Sequence, residues 1–193
     1  MISSSEARKL SHQFLAKYPK RYTHVEYVAK LSEELATHYH ADKENALIAS
    51  YLHDITKYYT INQAKTELQK YYSDEEILEW PIPTWHSLTA EIYARRHLLI
   101  DNEDILNAIK FHTTGRPEMS VLEKIIYVSD FAEASRDFEN ADIRNLAFLS
   151  LDKAMLEILI KTKKHLEKTH QTMMHFSKDA IVYYQTRLNG GNE

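Results

Sequence analysis

Imidazoles and carboxylates able to share a reaction recur along this chain in a definite order: His24, the adjacent pair His53 and Asp54, His86, His112 and Asp130. The pair closes the apolar run "ALIASYLHD", with Lys57 one turn further on. An imidazole, a carboxylate and an ammonium are costly to bury unless something pairs with them. Asp130 interrupts the apolar "IIYVSDFA", His86 follows Trp85, and His112 ends "AIKFH" just before Thr113, Thr114 and Arg116. His24 stands close to Arg21. A divalent cation would resolve the conflict, because neutral imidazoles and ionised carboxylates are both favoured beside a dication. Such a mixed nitrogen and oxygen set suits iron, manganese or zinc. Neighbours such as His53 and Asp54 cannot occupy one helical stripe, but at a helix end they can fan around one point. The HExxH spacing of a zincin does not occur.

Each residue taken singly has a plainer reading. His24, His86 or His112 alone would be a hydrogen-bonded, partly buried histidine, and Asp130 alone a cap or an arginine's partner. Lys57 alone would be a helix-end charge favoured by the helix dipole. His12, His38, His40, His97, His165 and His170 lack comparable context and read as surface residues. The joint pattern, not any one member, carries the metal reading.

Composition narrows the chemistry further. With no cysteine among 193 residues, thiolate catalysis, disulfides and Cys-type zinc sites are all excluded. Three glycines are too few for a glycine-rich phosphate cradle, so phosphate chemistry would need a metal and side-chain cations. A net charge of -4 with interspersed signs offers no basic stripe for nucleic acid. No stretch approaches a membrane span, and "MISSSEARKL" has no apolar leader-like segment; the reading is a cytoplasmic chain.

The elements that must position these residues are legible in the helix punctuation. Scarce Gly and Pro argue for an all-α fold of about nine or ten helices joined by short polar loops. Thr23 is read as capping a helix to about Tyr39, Asp42 the helix ending at His53, Thr60 a stretch to about Tyr71 and Thr84 the helix "TWHSLTAEIYARRHL". Ser73 with Glu76 and Ser120 with Glu123 form capping-box patterns. Asp101 or Asn102 starts "ILNAIKFH", Ser150 a long helix to about Thr169, and Ser177 the last one. "WPIPTWH" and the many tyrosines suit a homodimer interface.

The order "H … HD … H … H … D" on helical sequence resembles the HD superfamily of metal-dependent phosphohydrolases, with His24, His53, Asp54 and Asp130 at its four signature positions. "RYTHVEYVAKLSEELATHY", "YLHDITK", "AIKFHTTGRPEMSVLEKIIYVSDFAEASRDF" and "MMHFSKDAIVYY" are similar to the bacterial symmetrical dinucleoside-tetraphosphate hydrolases. Ser87-Leu88, Ala134-Ser135 and Phe176 depart from that family at loop or cap positions, where it has Gly-Pro, Pro-Gly and Pro.

The resemblance implies one HD domain over residues 1–193, with a metal-binding core at about 20–136 and C-terminal helices at 140–190 packed on it. It implies cleavage of diadenosine tetraphosphate at its middle bridge to two ADP. The metal, iron ahead of manganese, cobalt or zinc, would lie on His24, His53, Asp54 and Asp130. Asp54, Lys57, His86 and His112 are the implied catalytic residues: Asp54 would hold or deprotonate a water and Lys57 face the phosphates. His86 and His112 would either bind a second metal or contact phosphate, one of them acting as general acid. Arg21, Thr113, Thr114, Arg116, Arg136 and His175 complete the implied nucleotide contacts. The partner is thus a small nucleotide, with no nucleic acid and no membrane. The alternatives are another HD phosphohydrolase acting on dNTPs, deoxynucleoside monophosphates or a guanosine alarmone, and a nucleotide sensor that kept the metal site without turnover.

Overall fold

A computed structural model of the chain describes residues 2–135 and 141–190. The described residues contain eleven α-helices and one 3-10 turn, and no strand. In chain order they are α1 (Ser4–Leu15), α2 (Pro19–His38), α3 (Lys43–Leu52), α4 (Ile61–Leu68), α5 (Asp74–Glu79), the 3-10 turn Ile82–Thr84, α6 (Trp85–His97), α7 (Glu103–Phe111), α8 (Val121–Ala132), α9 (Ala141–Leu149), α10 (Leu151–Lys168) and α11 (His175–Asn189).

Most starts sit where the sequence places them, because a side-chain oxygen satisfies an otherwise unpaired amide of the first turn. Asp42, Asn102 and Ser150 accept such bonds, and Thr60, Ser73 and Ser120 form full capping boxes. Ser3 with Glu6 forms one more, opening α1, which the sequence reading did not anticipate. Three expected caps are corrected. Pro19 starts α2 with its pre-set φ, so Thr23 and His24 lie inside the helix rather than at its start. Thr84 makes no capping bond; its hydroxyl donates to the Pro81 carbonyl instead. The last helix starts at His175, and Ser177, inside it, donates to the Thr114 carbonyl.

Helices α2, α3, α7 and α8 pack against one another at the centre, with α1 against α3, α6 against α7, and α10 against both α8 and α11. Their shared core includes Val25, Leu35, Leu52, Ile105, Ile109, Ile125, Ile126 and Leu159. A second, smaller core of Ala64, Leu68, Ile77, Trp85, Leu88 and Ile92 lies under α4, α5 and α6. Among the described residues, no helix is long and apolar enough to cross a membrane. The imidazoles and carboxylates singled out in the sequence come from α2, the end of α3, α6, the end of α7 and α8.

Candidate metal centre and adjoining cleft

His53 ends α3, and the chain turns through Asp54 to Lys57, whose amide donates to the Asp54 carbonyl at 3.0 Å. That turn lets the adjacent side chains converge: His53 Nε2 lies 3.5 Å from Asp54 Oδ2. His24 from α2 and Asp130 from α8 close on the same point, with Nε2 to Oδ1 at 3.0 Å, and His53 Nε2 is 3.9 Å from that oxygen. Asp54 faces two ways. Its Oδ2 accepts from Arg21 at 2.9 Å. Its Oδ1 lies 3.2 Å from His86 Nε2, 3.8 Å from His112 Nε2 and 3.7 Å from Lys57 Nζ.

The four imidazoles are oriented by the same device. His53, His86 and His112 donate Nδ1–H to the carbonyl three residues earlier: Ser50 at 2.6 Å, Pro83 at 2.9 Å and Ile109 at 2.7 Å. His24 donates Nδ1–H to the buried Glu133 carboxylate at 3.1 Å. Each Nε2 is thereby turned into the cluster with its lone pair available, the arrangement in which histidine ligates metals. His24 Nε2, His53 Nε2 and Asp54 Oδ1 are buried and make no hydrogen bond. Acceptors facing one another without a donor repel, and a dication is the group that fits them all. Among the described residues, two triads have ligand atoms within 4.8 Å of one another: His24, His53 and Asp130, and His53, Asp54 and His112.

Charge states follow from the surroundings. Burial works against ionisation of Asp54, but His53, His86 and Lys57 outweigh it and hold the carboxyl well below its ordinary range. Burial lowers the His53 pKa, and the Asp54 and Asp130 carboxylates overcome that and raise it, drawing positive charge to Nε2. Burial, with His53 and His86 alongside, pushes His112 down to about 3, so its imidazole is neutral.

Lys57 Nζ lies 3.0 Å from His86 Nε2, which is itself 3.2 Å from His112 Nε2. Beside them a cavity of about 460 Å³ is lined by Thr84, Thr113, Thr114, Thr162, Met174 and Ser177, among others. The Thr113 and Thr114 hydroxyls are buried without partners, offering polar anchors in a mainly apolar cleft. His175 is exposed at the start of α11, between the cavity residues Met174 and Ser177 in sequence but outside the cluster. Arg116 is not brought to the cluster: Glu123 holds its guanidinium bidentately at 2.8 and 2.8 Å, and it lies 5.1 Å over the Phe111 ring. Arg136 lies outside the described residues. The tryptophans of "WPIPTWH" turn inwards, Trp85 into the smaller core and Trp80 against Phe111 and Phe176.

Glu133 was missed in the sequence. Its signal was available: it stands three residues after Asp130, just past the end of α8, and both carboxylates reach the His24 ring. The six histidines read as surface residues are all exposed.

Comparison with known proteins agrees with this geometry. The HD domain model matches residues 21–135. Symmetrical bis(5'-nucleosyl)-tetraphosphatase is the name of relatives from Halalkalibacterium halodurans, 36% identical over 87% of this chain and 89% of theirs, and from Bacillus subtilis, 32% identical over 88% and 90%. The crystal structure of a predicted HD-superfamily hydrolase involved in NAD metabolism, from Clostridium acetobutylicum, superposes with a TM-score of 0.88 at 34% identity, covering 97% of this chain and 99% of that one. With its imidazoles and carboxylates gathered from α2, α3, α6, α7 and α8, the chain belongs to the HD-domain family, in the group formed by the symmetrical bis(5'-nucleosyl)-tetraphosphatases.

Proposed function

We propose that this protein hydrolyses diadenosine tetraphosphate at its central bridge to give two ADP. The observation that carries the reading is the convergence of buried, partnerless acceptors (His24 Nε2, His53 Nε2 and Asp54 Oδ1) next to Lys57 and Arg21, in a chain whose relatives bear that name. His24, His53, Asp54 and Asp130 would hold a divalent cation, and iron is the proposed metal. Bound there, it would supply Lewis-acid polarisation of a phosphoryl oxygen and a water of lowered pKa.

The remaining chemistry belongs to the side chains. Phosphoryl transfer depends on positioning and on stabilising negative charge. Arg21 at Asp54 Oδ2 and Lys57 at Asp54 Oδ1 set positive charge on both sides of the carboxylate, where the bridging phosphates would enter. Asp54, ionised, orients the attacking water and accepts its proton. His112 stays neutral and serves as an acceptor, and His86 would relay a proton from Lys57, 3.0 Å from its Nε2, to the departing ADP. The alternative role proposed for His86 and His112, in place of that proton transfer, is to hold a second ion with Asp54 Oδ1. Thr113, Thr114 and the mouth beside His175 would hold the nucleoside, and Arg136 is proposed to meet the departing phosphates. A cytoplasmic location goes with this reading.

The test is to purify the protein without added metal, quantify bound metals and follow the products by chromatography. Two ADP per dinucleotide and loss of turnover on metal removal are expected. Nucleoside plus phosphate as products, or full activity after stripping, would overturn the reading.

A further inference from the structure

Two cavities adjoin the 3-10 turn Ile82–Thr84. Besides the cleft at Thr113 and Thr114, a second of about 320 Å³ is lined by Thr56, Lys57, Tyr59, Ile61, Trp85 and His86, together with Ala64. Ile82 and Pro83 line both, so the 3-10 turn forms the wall between them. The second cavity reaches the cluster, because its lining residues Lys57 and His86 approach Asp54 Oδ1 to 3.7 and 3.2 Å. Its floor is the smaller core, through Ala64 and Trp85, with Tyr59 packed alongside. Ile61 and Ile82 border it at 58% and 52% exposure, two large aliphatic side chains left to water around one opening.

The cleft at Thr113 and Thr114 has room for one nucleoside. A symmetric dinucleotide cut at its centre carries a nucleoside on each side of the reacting phosphates, so a site holding the bridge over Asp54 must receive two. We propose that the cavity walled by Tyr59, Ile61, Ile82 and Trp85 binds the second nucleoside, with Lys57 on the adjoining phosphate. The inference rests on the function proposed above. Apolar and aromatic walls suit the faces of a purine, an ammonium at the inner side suits its phosphate, and the volume falls within the ~300–1,000 Å³ typical of small-molecule sites. Filling both cavities draws binding from both ends of the substrate toward the central bridge, which selects dinucleotides over mononucleoside polyphosphates.

Ile61→Glu tests this at an exposed first-turn position of α4, with Leu78→Glu on α5, 80% exposed and away from the cavity lining, as the charge control. Diadenosine tetraphosphate is the substrate, and adenosine 5'-tetraphosphate, with one nucleoside, the competitive inhibitor. In Ile61→Glu, kcat/KM for the dinucleotide should fall about tenfold while the inhibition constant of the mononucleoside stays within about twofold; Ile61→Ala should repeat the pattern at about threefold. Leu78→Glu should change neither. If the wild type cuts the dinucleotide to ADP and the Ile61 variants match it, or if both ligands weaken in parallel, the second slot is refuted and the function stands. A wild type that releases no ADP refutes both.

Discussion

At the scale of single residues, the decisive feature is that four imidazoles have their Nδ1 protons committed elsewhere. Ser50, Pro83 and Ile109 carbonyls and the Glu133 carboxylate take them. Replacing His53 or Asp54 by alanine should therefore abolish metal content and hydrolysis together while helical circular dichroism persists; a variant retaining either would contradict the assignment. Lys57→Ala should keep the metal and slow turnover by about 10²-fold, since it removes one positioned charge rather than a ligand. Glu133→Gln should lower metal affinity ~10–100-fold by loosening the His24 ring, read by metal titration rather than by rate. His112, held down to about 3 by burial and by His53 and His86, should show a neutral Nδ1–H tautomer in nitrogen NMR from pH 7 to about pH 4. The histidines and Asp130 could be picked out in the sequence because polar residues in apolar runs are anomalous. Glu133 was not, because it follows the end of the apolar run and looks like an ordinary surface acid until its complete burial is seen.

At the scale of elements, side-chain caps were readable and backbone-driven ends were not. Ser and Thr ahead of a Glu or Gln announce a helix start, whereas α2 begins through Pro19 with no capping side chain and α11 follows Met174. The loop after α7 depends on Gly115, whose φ of +63° lets its amide bond the Phe111 carbonyl at 2.9 Å and end the helix that carries His112. A Cβ there would meet the Tyr127 ring at 3.3 Å. Gly115→Ala should cost ~1–2 kcal/mol, seen as a lowered denaturation midpoint. The C-terminal helices are fastened by Asp152 on α10, which accepts from Lys124 on α8 and Arg187 on α11, each at 2.7 Å. Burial alone would raise its pKa, and the two cations outweigh burial and lower it. A carboxyl depressed in the folded state favours folding above its unfolded pKa, and that contribution disappears as pH falls through the folded value. Asp152→Ala should thus destabilise by about 1 kcal/mol at pH 7, discounted for solvent screening, and the difference from wild type should narrow below about pH 4.

At the scale of the whole molecule, neither cavity was visible in the sequence, because each is assembled from segments that no local pattern connects: the 3-10 turn, the loop after α7, α10 and the start of α11 for one, and the turn after α3 with α4 and α6 for the other. The helices that enclose them bury two apolar cores with no need of an ion. A dication at the cluster would therefore be separable from the fold, unlike the metal of a zinc finger, whose binding is its folding free energy. Chelation should leave the helical circular dichroism intact while lowering the melting temperature, since a ligand at about 100 times its Kd adds ~2.7 kcal/mol to the folded state. For a chain of this length that corresponds to roughly 5–10 °C. Restoring the metal should recover both the melting temperature and turnover. Helix loss on chelation would mean that the four imidazoles form the core rather than sit on it, and an unchanged melting temperature would mean that no dication binds where His24, His53, Asp54 and Asp130 converge.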